Sequence, residues 1–149
     1  MSSGAWIVLA AVVVAVGFGL YRALTDGHFR GTHRISESEA SVSEPATPWD
    51  AVLAAIPGAE LGERATLLQF SSAFCAPCRA TRRILADVAA VVPGVVHVEV
   101  DAEHHLGLVR SLGVLRTPTT LVVDAKGREV TRASGAPRKE QVIAALGSA

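Results

Sequence analysis

The sequence lacks an excess of either charge, because 14 Lys and Arg residues balance 14 Asp and Glu residues over 149 positions. A chain without net charge has no overall field that would attract nucleic acid or an acidic partner. We therefore expect no nucleic-acid partner. The length is that of about one domain, and no internal repeat is present.

Cysteine is scarce, since the chain has two, Cys75 and Cys78. Two cysteines are too few for a small secreted fold held together by several disulfides. A domain of about a hundred residues buries an adequate core without such cross-links. The pair lies in SSAFCAPCRATRRIL (71–85), where the spacing fits half of a zinc site, a structural disulfide or a reversible redox pair.

One long run lacks any charged side chain: AWIVLAAVVVAVGFGLY, from Ala5 to Tyr21. Its length is at the short end of what crosses a bilayer as a helix, and Trp6 and Tyr21 lie at its two ends, as interfacial aromatic residues do. A signal peptide would have basic residues before the run and a clear cleavage site after it, and the sequence shows neither. We therefore predict an uncleaved transmembrane anchor over residues 1–24, with membrane contact through residues 5–21.

The charges that flank this run predict its orientation. No Lys or Arg precedes it, whereas Arg22, Arg30 and Arg34 follow it. The positive-inside rule then places the long C-terminal part on the cytoplasmic side of a cell membrane, which is a reducing compartment.

The rest of the chain divides into two parts. Residues 25–46 are rich in Ser, Glu, Gly, Thr and His, and we expect a flexible linker there, because such a composition buries too little apolar surface to offset its ordering entropy. Residues 47–149 have globular patterns and form the predicted domain. Its predicted elements are a helix from Thr47 to about Ile56, a strand over 65–71, a helix after the cysteines that ends at Pro93-Gly94, a strand over 95–101, a short helix near 106–112, strands over 119–124 and 128–133, and a last helix opened by Pro137.

This order contains one βαβ unit followed by two strands and a helix. It predicts an α/β domain in which a mixed central sheet has helices on both faces, preceded by the N-terminal transmembrane helix.

Two of the three interpretations of the cysteine pair fit poorly. A structural zinc site needs four ligands, and the only histidines are His28, His33, His97, His104 and His105. Two of these lie in the linker, one lies on a strand, and the last two are adjacent, so they project in different directions on a helix. We expect no metal. A static disulfide that closes so small a loop removes little chain entropy, and the cytoplasm would keep it reduced.

A redox pair explains the placement better. A cysteine at a helix N-terminus has its thiolate stabilised by backbone N–H groups and by the helix dipole. Cys75 is predicted to lie at that terminus, and Cys78 begins the buried stripe of the helix. Unequal surroundings suggest unequal roles for the two sulfurs.

The globular part, roughly residues 47–149, contains FCAPC (74–78), with a strand before it and GVLRTPTTLVV (113–123) after it. These motifs give it a resemblance to the thioredoxin family. The resemblance implies that Cys75 attacks a substrate disulfide and that Cys78 resolves the mixed disulfide. It also implies that Pro118 follows a cis peptide bond beside the redox pair, so that the Thr117 backbone can pair with an extended substrate segment. Phe74 and Pro77, with Leu115 and Arg116, would form the docking surface.

The sequence also departs from the family. Thioredoxins have Trp before the first cysteine, where this chain has Phe74. They bury an aspartate six residues ahead of that cysteine, and it is thought to help remove the proton of the resolving thiol, but this chain has Gln69. Gln69 cannot act as a base, so the proton must leave through water or through His97 across the sheet, although His97 also fits a solvated strand residue. Gln69 and Arg79 are candidates for tuning the redox potential.

The predicted function is that of a membrane-tethered thiol–disulfide oxidoreductase that needs no cofactor. Ala76 and Pro77 between the cysteines resemble the Gly-Pro of reducing thioredoxins and supply no histidine, which favours a reductant. Its partners would be disulfide-containing proteins and an upstream dithiol reductant. Two alternatives are a redox-inactive docking module with a thioredoxin fold, and an extracytoplasmic thiol–disulfide exchange protein with the opposite orientation.

Overall fold

A computed structural model describes residues 3–25, 29–31 and 47–149. The described part contains five helices and five strands. In chain order they are α1 (Ser3–Thr25), β1 (Phe29–Gly31), α2 (Pro48–Ala55), β2 (Ala65–Ser71), α3 (Ala76–Val91), β3 (Val95–Asp101), α4 (Leu106–Ser111), β4 (Thr119–Asp124), β5 (Glu129–Ser134) and α5 (Lys139–Leu146).

The strands form one mixed sheet with the order β1-β5-β4-β2-β3. β2 and β3 are parallel, and α3 supplies the crossover connection that a parallel pair requires. β4 pairs antiparallel with both β2 and β5. The three-residue strand β1 adds to the outer edge of β5. The predicted mixed sheet is therefore confirmed.

Helix α2 begins where its sequence signature predicts. Thr47 is the N-cap, and its hydroxyl accepts a hydrogen bond from the Asp50 backbone N–H while the Asp50 carboxylate accepts one from the Thr47 N–H. Pro48 occupies the first helical position, where its missing N–H costs nothing. The helix ends before Pro57, as expected.

Each face of the sheet buries its own apolar cluster, which confirms helices on both faces. One cluster lies under α2 and α4 and is built around Trp49, Val52, Leu68, Phe70 and Leu121. The other lies under α3 and α5 and is built around Leu67, Leu85, Val88, Val122 and Leu146. Successive residues of β2 point to opposite faces, so both sides of this strand are buried along its whole length.

Two details differ from the prediction. The last helix begins at Lys139, after Pro137, and the Gln141 Oε1 accepts a hydrogen bond from the backbone N–H of the N-cap residue Arg138 at 2.8 Å. β1 was not predicted and lies within the segment interpreted as a linker. The remainder of that segment, 26–28 and 32–46, lies outside the described residues.

The predicted transmembrane helix needs a correction. The apolar run is helical, as part of α1, and its side chains from Trp6 to Tyr21 are exposed. However, in the ranges that the structure describes, no helix combines the length and hydropathy needed to cross a membrane.

Candidate active site

Both cysteines lie at the start of α3, directly after the central strand β2. Cys75 is the N-cap residue of the helix and is half-buried, whereas Cys78, in the first turn, is only 2% exposed. Their sulfurs are joined by a disulfide, with the two Cα atoms 5.2 Å apart. One sulfur thus lies at the surface and the other behind it.

The N-terminal end of α3 provides the electrostatics of the site. The backbone N–H of Cys78 donates a hydrogen bond to the Cys75 Sγ at 3.1 Å. The N–H groups of a first helical turn have no partners within the helix, and the helix dipole adds positive potential there. Negative charge on the Cys75 sulfur is therefore stabilised relative to a sulfur in an unstructured chain.

The loop before β4 lies against the cysteine motif. The Thr117–Pro118 peptide bond is cis, as the resemblance implied. The Thr117 hydroxyl is 3.1 Å from the Ser72 hydroxyl, three residues ahead of Cys75. Pro118 is buried and Thr117 is half-buried. The hydrogen bond between Ser72 and Thr117 joins two segments that are far apart in the sequence.

The apolar candidates for substrate binding are strongly exposed. Phe74 is 99% exposed and Leu115 is 96% exposed, and Pro77, between the cysteines, is also exposed. A packing role for Phe74 is excluded by that exposure. The substrate-binding roles of Phe74, Pro77, Thr117 and Pro118 stay predictions.

Gln69 is fully buried beneath the cysteine motif, and both ends of its side-chain amide form hydrogen bonds there. Its Nε2 donates to the Cys78 carbonyl oxygen at 3.0 Å and to the Ser71 hydroxyl at 3.2 Å. Its Oε1 is 3.1 Å from His97 Nε2 on the neighbouring strand β3. Gln69 thus connects the first turn of α3 to the sheet through neutral hydrogen bonds.

The direction of these hydrogen bonds assigns the protons. Because both N–H groups of the Gln69 amide donate, its oxygen accepts and His97 Nε2 carries a hydrogen. Ser71 accepts from Gln69, so its own hydroxyl hydrogen goes to the Glu99 carboxylate. The network therefore ends on Glu99, which also receives two N–H groups from Arg82, at 2.8 and 2.6 Å.

Sequence reasoning missed Ser71, Arg82 and Glu99. These residues and Cys78 line one cavity of about 280 Å³ beside α3. Arg79 lines the same cavity and is exposed, which places it near Cys78 but leaves its tuning role a prediction. β2 and β3 form a parallel pair in which Gln69 lies beside Glu99. Aligning the two predicted strands in this register could have identified the carboxylate.

A sequence model of the thioredoxin-like domain matches residues 54–149, which is more than half of the chain. The chain belongs to the thioredoxin-like family. The thioredoxin H-type 1 of Nicotiana tabacum is 31% identical to it over 78 residues, which are 52% of this chain and 61% of the tobacco protein. This chain thus matches about three fifths of that relative's length.

Solved structures show the same fold. A thioredoxin from Fasciola hepatica superposes with a TM-score of 0.52 at 24% identity, over 58% of this chain and 81% of that chain. A mutant thioredoxin from Halobacterium salinarum gives a TM-score of 0.54 at 19% identity, over 58% and 74% of the two chains. In this chain the fold holds Cys75 and Cys78 as a close pair at the start of α3.

The burial of His97 makes the stability of this thioredoxin-like protein depend on pH. Burial lowers the pKa of His97, against the opposing effect of the nearby Glu99 carboxylate. Between this lowered pKa and the unfolded value of about 6.5, the unfolded chain binds the proton more strongly. We therefore expect the free energy of unfolding to fall as the pH falls from 7.5 through that window.

Urea unfolding at several pH values, on the wild type and on His97→Gln, measures this effect. The variant should lose part of the pH dependence because glutamine does not titrate. An identical slope in the two proteins would contradict a pKa lowered by burial.

Proposed function

We propose that this protein reduces disulfide bonds in other proteins through a cycle in which Cys75 and Cys78 alternate between dithiol and disulfide. The observation that carries the proposal is the unequal pair at the start of α3. Cys75 is half-buried and accepts a backbone N–H bond, while Cys78 is buried one turn away and close enough to be bonded to it.

The proposed cycle has two exchange steps. In the reduced protein, the Cys75 thiolate attacks one sulfur of a substrate disulfide, the substrate bond breaks, and a mixed disulfide forms. The Cys78 sulfur then attacks Cys75, which forms the intramolecular disulfide and releases the second substrate sulfur as a thiolate that takes a proton from solvent. Two electrons pass from the protein to the substrate.

The surroundings of the pair favour reduction over oxidation. The residues between the cysteines are Ala76 and Pro77, and neither side chain carries a charge or a hydrogen-bond donor that would stabilise the thiolate. A histidine at this place would favour the reduced form and make a stronger oxidant. A dithiol reductant must then regenerate the pair in each cycle.

The substrate is proposed to bind across the exposed apolar surface formed by Phe74, Pro77 and Leu115. Phe74 and Leu115 expose nearly their whole side chains on the two segments that the Ser72–Thr117 contact joins. An extended peptide lying there could form backbone hydrogen bonds with Thr117, as an added strand does. A protein disulfide flanked by apolar residues fits this surface.

The predicted location on the cytoplasmic side of a membrane stays a prediction. It depends on Arg22, Arg30 and Arg34, which follow the apolar run. A reporter enzyme fused after Ala149 and active only in the cytoplasm tests it, and activity of a reporter specific for the outside would contradict it.

The roles of the two cysteines are tested by a matched pair of substitutions in the full chain. Cys75→Ser should abolish the acceleration of insulin reduction that the protein gives with dithiothreitol as electron donor, since it removes the attacking sulfur. Cys78→Ser should also stop turnover but should accumulate a mixed disulfide with the substrate, visible on a non-reducing gel and lost on reduction. Trapping by Cys75→Ser instead, or full turnover by either variant, would contradict the assignment.

The docking surface is tested with Phe74→Ala. Because the side chain is exposed, the melting temperature should be unchanged, whereas kcat/KM for a protein disulfide should fall by about tenfold from the loss of buried apolar contact. Reduction of a small aromatic disulfide, which does not need the surface, should be unchanged. Val91→Ala, an exposed apolar residue at the far end of α3, is the control. Equal activity of Phe74→Ala and Val91→Ala toward the protein substrate would contradict the proposed surface.

A further inference from the structure

The second exchange step requires Cys78 to lose its proton, and the usual acid of the family is absent from β2. Gln69 takes that position and is neutral, and both of its N–H groups are used in holding Ser71 and the Cys78 carbonyl. The amide can therefore orient the turn of α3 but cannot accept a proton. Another group must serve the buried thiol.

His97 is poorly placed for this task. Its Nε2 carries the hydrogen that goes to Gln69, so Gln69 lies between the imidazole and the motif. His97 is also not among the side chains that line the cavity beside Cys78. The route through His97 that the sequence suggested for the Cys78 proton is therefore less direct than a route through the cavity.

The cavity offers Cys78 a path to a carboxylate. It has a volume of about 280 Å³, which is ample for several water molecules, and polar groups form about half of its lining. Cys78 contributes to one wall, and Glu99 and Asp101 contribute from β3. Ala73 and Arg79 also line it and are exposed, so the cavity reaches the solvent.

Of the two carboxylates, Glu99 is the one coupled to the motif. Asp101 is held by its own turn, because its oxygens accept from the Glu103 N–H and from His104 Nδ1, and the hydrogen bond from His104 lowers its pKa. Glu99 accepts from Ser71, which is bonded to Gln69 and through it to the Cys78 carbonyl.

Two positive groups from α3 also face this space. Arg82 pairs with Glu99 and orients its carboxylate, while Arg79 lies on the outer wall. Apart from these two arginines, the charged or titratable side chains that line the cavity are Cys78, Glu99 and Asp101, all within the described residues.

We infer that Glu99 accepts the thiol proton of Cys78, through solvent in this cavity, when Cys78 attacks the mixed disulfide. The proton passes to the carboxylate, and the Cys78 sulfur forms its bond with Cys75. The bond between Cys75 and the substrate breaks with its electron pair on the substrate sulfur, which is protonated from solvent. Glu99 then releases its proton to the solvent at the mouth of the cavity. This inference rests on the proposed function.

The two exchange steps can be separated with dithionitrobenzoate, an aromatic disulfide that releases a coloured thiolate at each step. Mixing it with the reduced full-length protein in a stopped-flow instrument gives a first release when Cys75 attacks and a second when Cys78 resolves. In Glu99→Gln at pH 7, the first release should keep its rate and the second should slow by at least about tenfold, as loss of a proton acceptor does.

The pH profile distinguishes proton acceptance from a structural role. The difference between the wild type and Glu99→Gln should disappear at a pH high enough to ionise Cys78 without help, and Glu99→Asp should recover part of the lost rate at pH 7. Glu103→Gln, which removes an exposed carboxylate outside the cavity, should behave as the wild type. Thermal unfolding verifies that each variant is folded.

The sign of the effect is itself decisive. If Glu99 acted only as a nearby negative charge, its removal would favour the Cys78 thiolate and speed the second release. An unchanged or faster second release, a slowing that persists at high pH, or a slowing in Asp101→Asn but not in Glu99→Gln would overturn the inference. Absence of the first release in the wild type would instead overturn the proposed function.

Discussion

The hydrogen bond from the Cys78 N–H to the Cys75 Sγ is the contact on which the site depends. It exists because β2 ends at Ser71 and α3 begins at Ala76, so that Cys75 becomes the cap of a 16-residue helix. Capping by sulfur gives one cysteine the positive end of the helix dipole and leaves it accessible. The same turn of helix carries Cys78 into the protein, where it is 2% exposed.

Beneath this turn, neutral hydrogen bonds take the place of a buried acid. An ionised carboxylate at position 69 would be costly to bury without a partner. The amide of Gln69 is neutral, and both its nitrogen and its oxygen are hydrogen-bonded. The negative charge of this hydrogen-bond network lies instead on Glu99, in the edge strand β3. There Arg82 pairs with Glu99, and the cavity gives it access to water. With the carboxylate on the edge strand instead of the central strand, two residues divide the work: Gln69 orients the turn that carries Cys78, and Glu99 is the inferred acceptor of its proton.

Much of the fold follows from local sequence signals. The limits of β2, β3 and β4 coincide with the predicted runs, because their apolar residues end abruptly at polar or turn residues. The start of α2 was predicted because Thr47, Pro48 and Asp50 form a self-contained cap. The cysteine pair and the cis bond before Pro118 were found through motifs that are short in sequence.

The features that sequence reasoning missed depend on pairing between distant segments. Glu99 joins the site only because β3 lies beside β2 in a register that places it next to Gln69, 30 positions away in the chain. The three residues of β1 carry no strand signal of their own and gain their structure from the edge of β5. The membrane helix was predicted from hydropathy, and no helix in the described ranges meets the requirements for crossing a membrane. Local patterns thus predict elements well, and cross-strand neighbours poorly.

The central claim is that the start of α3 activates the Cys75 sulfur, and its reactivity toward iodoacetamide at pH 6 tests this most directly. At that pH an ordinary thiol is almost entirely protonated and reacts slowly. In the reduced Cys78→Ser protein, where Cys75 is the single cysteine, alkylation should be several times faster than that of a short peptide with the sequence FCAPS, and unfolding in urea should remove the difference. A folded protein that reacts no faster than the peptide would contradict the account.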